Sequence, residues 1–206
     1  MKILILSLTL FMNYILLSGF KGDPVKTDGT RIEWKENYKL RWEDFAGDCG
    51  GDGKHSAMTC SDINVKSYKK GDRIFYNVSS SFMKEVSWTK SKSEALLAHE
   101  QLHFDITELY GRKMRKALSE PQRNLTKQEF KAIIDPVFDE WGKMEKLYDK
   151  ETRHGLNKVK QKEWEQMVER KLHELDAYKK SFHTPKTMSS EKNQSSCEAS
   201  HKCELH

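Results

Sequence analysis

His99, Glu100 and His103 stand in the order His-Glu-Gln-Leu-His. Each helical residue advances by about 100°, so positions i and i+4 share a face and two imidazoles one turn apart can reach one metal ion. Imidazole nitrogen is a preferred zinc ligand. A glutamate beside the first histidine stands where it can take a proton from a water at that metal. The chemistry this spacing implies is zinc-assisted hydrolysis with Glu100 as general base and with Zn2+ held by His99 and His103. Cleavage of peptide bonds is the leading reading.

A catalytic zinc takes three protein ligands and leaves a fourth position open. Asp105 lies about 200° around the helix from His103 and faces away, so a supporting role suits it better. Glu108 lies about 140° off the ligand face and would serve only if the helix broke early. His154 falls in the stretch Tyr148-Asp149-Lys150-Glu151-Thr152-Arg153-His154-Gly155, where a glycine permits a sharp turn back over the first helix. His154 is the favoured third ligand, with Glu108 the acidic alternative. His55, His173 and His183 fall in a Gly-rich loop, on a charged helix and at the start of a polar tail, and are weaker candidates. Tyr148 and Tyr110 offer phenols for a developing oxyanion, although packing is the commoner role for each.

These side chains need elements to hold them. Ser91-Lys92-Ser93-Glu94 fits a capping box with Ser91 as N-cap, opening a helix from about Glu94 to Leu118 that carries the motif. Pro121 closes that segment. Thr126-Lys127-Gln128-Glu129 is a second capping box. Pro136 either kinks the helix that follows or restarts it with Asp135 as N-cap. That helix is expected to end near Tyr148, with Asp149 to Gly155 irregular and a charged helix from about Lys158 to Ser181. Before the helices, Arg31-Ile32-Glu33-Trp34, Ile63 to Tyr68 and Arg73 to Ser79 alternate with period two, and Lys70-Gly71-Asp72 reads as a turn between the last two. The fold class expected is α+β, a small sheet, antiparallel at its hairpin, followed by a helical part that carries the motif on its first long helix. The strand Ile74 to Ser79 is a candidate sheet edge for an extended peptide. Trp42, Phe45, Trp88, Phe104 and Trp141 read as core aromatics.

The chain has 206 residues, enough for one domain with a sizeable core. Charged residues make up 33%, and the mean hydropathy of −0.81 is too polar for a multispan membrane protein. The net charge of +5 is spread among acids with no basic stripe, so no nucleic-acid partner is expected. Residues 1–19 fit an export signal: Lys2, an apolar run to Leu17, then Ser18-Gly19. The mature protein is expected in the periplasm or secreted, with no stable membrane span once the signal is cleaved, and with an N-terminal anchor if it is not. Residues 31–182 form the expected metallopeptidase domain, and residues 184–206 are a tail too polar to bury a core. Export permits disulfides, and the simplest pairing of the 4 cysteines is local, Cys49 with Cys60 and Cys197 with Cys203. The tail residues Cys197, His201, Cys203 and His206 are the alternative, a second metal site.

Three stretches together resemble the predicted secreted zinc-dependent protease family, a little-characterised group of zincin type. They are Leu40 to Gly47; Ser87-Trp88 with Leu96 to Ile106; and Tyr148-Asp149, Glu151-Thr152 and His154-Gly155 with Gln161 and Trp164 beyond. The resemblance covers about Ile32 to Glu165. It implies a zinc metallopeptidase-like domain with His99 and His103 as ligands and Glu100 as base, acting on a peptide or protein substrate. The competing function is a non-catalytic, zinc-stabilised envelope or adhesion module on the same scaffold.

Overall fold

The computed structural model describes residues 29–48, 55–121 and 123–179. The expected signal, the polar tail, and Cys49, Cys197 and Cys203 lie outside the described residues. Cys60 is disulfide-bonded, and its partner is outside them too.

The chain forms an α+β fold. Strands β1 (Arg31–Glu33), β3 (Ser61–Lys70) and β4 (Arg73–Met83) make an antiparallel sheet in the order β1-β4-β3. Two short strands, β2 (Ala57–Met58) and β5 (Trp88–Thr89), pair beside it. The β3–β4 register runs from Ser61 opposite Phe82 to Lys70 opposite Arg73. Gly71, with φ +60°, takes the first turn position, which a two-residue hairpin of this kind reserves for glycine. Period-two alternation turns Ile63, Val65 and Val78 inward. Arg31, Ile32 and Glu33 pair with Met83, Phe82 and Ser81, so β4 is the central strand rather than the edge. The flank of β4 beyond β1 is also occupied. Asn124 Oδ1 accepts from Ile74 N at 2.7 Å, and Arg115 Nε donates to Val78 O at 3.0 Å. An extended peptide therefore meets groups already bonded on that side of Ile74 to Ser79.

Three helices follow: α1 (Glu94–Ser119), α2 (Lys127–Thr152) and α3 (Lys158–Glu174), then a 3-10 turn at Asp176–Tyr178. None of the helices among the described residues is long and apolar enough to cross a membrane. Helix α1 is the centre of the molecule. Leu102, Ile106, Leu109 and Met114 join the main core with Ile63, Val65 and Val78, whereas Phe104 packs with Leu40, Phe45 and Phe82 in a second cluster. Buried on both sides, α1 is fixed between the sheet and the other helices. Gly111 is part of the reason it comes so close. A Cβ there would stand 2.3 Å from Ser80 Oγ on β4. Helix α2 buries Phe130, Ile134, Phe138, Trp141 and Tyr148, one stripe of its surface, and α3 buries Gln161, Trp164 and Val168.

The helix ends differ from the sequence expectation in three places. Ser93, not Ser91, caps α1, its Oγ accepting from Leu96 N at 3.2 Å. Thr126 caps α2 with Glu129 as expected. Of the two outcomes expected at Pro136, a restart with Asp135 as N-cap does not occur; α2 runs through it, because Pro136 lies on the exposed face where water can serve the carbonyl it frees. Helix α2 continues through Asp149 to Thr152, and α3 ends at Glu174, where Leu175 breaks the helical backbone. Of the expected core aromatics, Phe45, Trp88, Phe104 and Trp141 are buried, and Trp42 packs half-buried against the second cluster.

Candidate metal centre

The site lies where the N-terminal half of α1 meets the C-terminal end of α2. His99 and His103, one turn apart on α1, direct their Nε2 atoms to within 3.3 Å of each other. Asp149, in the last turn of α2, puts Oδ1 3.1 Å from each. His154, just past the end of α2, places Nδ1 3.4 Å from the same oxygen. Ligand atoms of His99, Asp149 and His154 all fall within 4.8 Å of one another. Nitrogen and oxygen ligands of a tetrahedral zinc, about 2.0–2.2 Å from the metal, stand about 3.3–3.6 Å apart. The cluster matches that spacing with little adjustment.

The remaining atom of each imidazole decides what these converging atoms are. His99 Nδ1 faces Gln161 Oε1 at 3.3 Å. His103 Nδ1 makes a short bond with Glu145 Oε2. Both partners are acceptors, so around a bound cation each neutral ring carries its proton on Nδ1 and turns a lone pair at Nε2 inward. Two nitrogen lone pairs and a carboxylate oxygen at this separation repel unless a cation lies among them. The donor set therefore fits a metal ion. Without one, protons take its place. Burial alone would depress His103, but the Glu145 carboxylate and then Asp149 hold its pKa well above the usual histidine value. Burial likewise opposes ionisation of Asp149, yet bonds from His103 and His99 hold its carboxyl below the usual range.

A supporting layer fixes these groups. Trp141 Nε1 donates to Glu145 Oε1 at 2.7 Å. The Tyr148 ring stacks on His99 with centroids 4.7 Å apart, and its hydroxyl lies 2.8 Å from Gln161 Oε1 and 3.1 Å from His99 O. Burial pushes the Tyr148 phenol far up, so it stays protonated and committed to these partners. It is not a free oxyanion donor. Tyr110 packs in the core with Lys113 over its ring.

Arg153, His154 and Gly155 turn the chain from α2 to α3, all with positive φ, at 54°, 54° and 78°. His154 N donates to Asp149 O at 3.0 Å, and Asn157 N to Thr152 O at 2.7 Å. Gly155 needs its missing Cβ twice over. Its backbone is left-handed, and a Cβ would stand 3.0 Å from His99 Cβ and 3.1 Å from Cγ. The turn that presents His154 thus also presses on His99. His154 is exposed at the rim, edge-on to His55 with ring centroids 5.2 Å apart.

Glu100 is 3% exposed. No hydrogen bond reaches its carboxylate from the described residues, although it is close enough to Tyr148 to oppose ionisation of the phenol. Its backbone carbonyl is held by Thr59 Oγ1 at 3.2 Å. A buried carboxylate next to His99 in the chain, with no hydrogen-bond partner among the described residues, has the chemistry of a base.

The acidic alternatives for the third ligand are used elsewhere. Glu108 is buried between Arg112 Nε at 3.1 Å and Arg115 Nη1 at 2.9 Å. Arg112 also reaches Leu172 O and Asp176, and Arg115 reaches Tyr178 O, so this cluster ties α1 to the end of α3 and the 3-10 turn. Asp105 accepts from Trp34 Nε1 at 2.8 Å and Gln101 Nε2 at 2.9 Å, anchoring the segment after β1 to α1. Asp149, Glu145 and Gln161 were not singled out as site residues from the sequence. A usable signal did exist. Glu145 and Asp149 repeat the i, i+4 spacing of the two histidines on the next helix, and antiparallel packing lays one pair against the other. No curated protein and no solved structure matches the chain. Residues 23–155, which carry His99, Glu100, His103, Asp149 and His154, match the family described as "Bacterial protein of unknown function (DUF922)", and the chain belongs to that family.

Proposed function

We propose that this protein is an exported zinc-dependent hydrolase that cleaves peptide bonds. The observation that carries the reading is the convergence of His99 Nε2, His103 Nε2 and Asp149 Oδ1 within 3.3 Å, with both Nδ1 atoms held by acceptors. His99, His103 and Asp149 would hold the ion, with His154 at the rim beside them. Zinc in such a site supplies Lewis-acid activation of a water and of a scissile carbonyl.

The chain's own groups do the rest. Glu100 receives the proton of the attacking water and returns it to the leaving amine. Tyr148 and Gln161 keep the His99 ring fixed, and Glu145 and Trp141 do the same for His103. Export is supported by the disulfide at Cys60, which an oxidising compartment maintains.

One observation favours a second reading. His154 Nδ1 lies 3.4 Å from Asp149 Oδ1. If His154 joins as a fourth ligand, the tetrahedron closes and the site becomes a non-catalytic zinc clamp. Metal analysis and cleavage of an unfolded protein substrate separate the two. The hydrolase is expected to bind about one zinc per chain, to lose it in Asp149→Ala, and to keep zinc but lose cleavage in Glu100→Gln. Cleavage that survives Glu100→Gln refutes the mechanism. A zinc-loaded wild type that cleaves nothing in a broad peptide library, with zinc lost in His154→Ala, selects the clamp.

A further inference from the structure

Helix α3 begins beyond residue 155, where the family match ends, yet it supplies a group to the centre. Gln161 lies one turn into α3 and is 6% exposed. Its amide orientation is fixed by its neighbours. Nε2 donates to Glu165 Oε1 at 3.0 Å, and a carboxylate can only accept. Oε1 must therefore be the atom facing Tyr148 OH at 2.8 Å and His99 Nδ1 at 3.3 Å. The phenol O–H, closer to that oxygen than to His99 O at 3.1 Å, donates to it, and His99 Nδ1–H can donate to it as well.

We infer that Gln161 is a positioning residue that selects the tautomer of His99, so that α3 is an integral part of the metal centre. The inference rests on the zinc reading and deepens it. With Oε1 in place, the Nδ1–H tautomer is bonded and Nε2 presents its lone pair to the ion. Without it, the buried Nδ1–H loses its acceptor. The ring then gains by placing its proton on Nε2, 3.1 Å from Asp149 Oδ1, where it blocks the ion. Asn157 and the 153–155 turn set the start of α3 and so place Gln161 against His99. Asn157 Oδ1 accepts from Lys160 N at 3.2 Å.

Two variants of the full chain test this. Gln161→Leu keeps the bulk and removes the acceptor. Gln161→Glu combined with Glu165→Gln keeps the acceptor and restores the bond between the two side chains in reverse. Zinc affinity is measured by competition with a chromophoric chelator, and the His99 tautomer by long-range nitrogen–proton correlation NMR on the metal-free protein at alkaline pH. Gln161→Leu is expected to bind zinc about 10- to 100-fold more weakly and to shift His99 toward the Nε2–H tautomer. The double variant is expected to bind at least as tightly as wild type and to keep the wild-type tautomer balance of His99. Wild-type zinc affinity in Gln161→Leu overturns the inference, as does a double variant as weak as Gln161→Leu. Failure of the zinc reading is separate. In that case the wild type binds no zinc, while the tautomer shift in metal-free Gln161→Leu still reads the role of Gln161.

Discussion

Gly155→Ala is the substitution whose cost can be worked most directly from the structure. Gly155 has φ +78°, and the new methyl would lie 3.0 Å from His99 Cβ and 3.1 Å from Cγ. The left-handed backbone costs an L-residue about 1–2 kcal/mol. Carbon contacts prefer about 3.5–4.0 Å, so the methyl must displace the imidazole or the turn. Overpacking of this kind costs about 1–3 kcal/mol. Together these give about 2–5 kcal/mol of lost stability. The imidazole cannot yield easily, because Tyr148 stacks on it and Gln161 holds its Nδ1. A displaced ring also misaims Nε2, so zinc affinity should fall at least about tenfold. Urea unfolding of the metal-free variant reads the first effect, and chelator competition the second. A stability loss below about 0.5 kcal/mol together with unchanged zinc affinity would refute the placement of this turn against His99.

Three further outcomes follow from the same geometry. Arg153 has φ 54° at the end of α2 and donates its N–H to the last carbonyls, so Arg153→Gly should relieve left-handed strain and stabilise by about 0.5–1 kcal/mol, seen as a higher urea midpoint at unchanged slope. Glu108→Gln leaves Arg112 and Arg115 buried beside a neutral amide and should cost about 3–5 kcal/mol while zinc stoichiometry stays the same; a metal-free melt with unchanged stability would contradict the structural role assigned to this cluster. Without metal, the Glu145 and Asp149 carboxylates outweigh burial and raise the His103 pKa, so its contribution to stability is present below the unfolded histidine value and lost as pH rises through the raised one. The lowered Asp149 pKa acts oppositely, its contribution present above the unfolded carboxyl value and lost as pH falls through the depressed one. Zinc must displace the His103 proton, so its affinity should weaken as pH falls below that pKa, by about tenfold per pH unit, with about one proton released on binding in that range. Calorimetry in two buffers of different ionisation enthalpy measures the release, and none at all would contradict the His103–Glu145 pairing.

The local features were legible in the sequence because their causes are local. His99, Glu100 and His103 sit on one helix because Ser93 starts it, nothing interrupts it before Ser119, and i, i+4 spacing is a property of any helix. Thr126 and Glu129 cap α2 through a four-residue pattern, and Gly71 closes the β3–β4 hairpin through a requirement on its own φ. The α+β class follows from the same periodicities. Two capping serines within the 91–93 stretch compete for one helix, and only the packed helix position selects Ser93.

What the ion would meet was decided in three dimensions. Asp149 lies 50 positions from His99 along the chain, and only the packing of α2 against α1 brings Oδ1 between the two imidazoles. The stretch around it looks irregular because Asp149, Lys150 and Glu151 are polar and a glycine follows, but Tyr148 and Thr152, buried against α1, extend the helix through it. Glu145 and Gln161 carry no motif of their own. Their roles come from facing Nδ1 atoms on another helix. Glu108 is a candidate ligand by type that would need an early helix break, but α1 runs on and two arginines with partners on α3 and the 3-10 turn hold it instead. Sequence spacing sets which residues share a helix face. Which faces meet depends on burying Leu102, Ile106 and Leu109 on one side of α1 and Phe104 on the other, and that arrangement exists only once the core has formed.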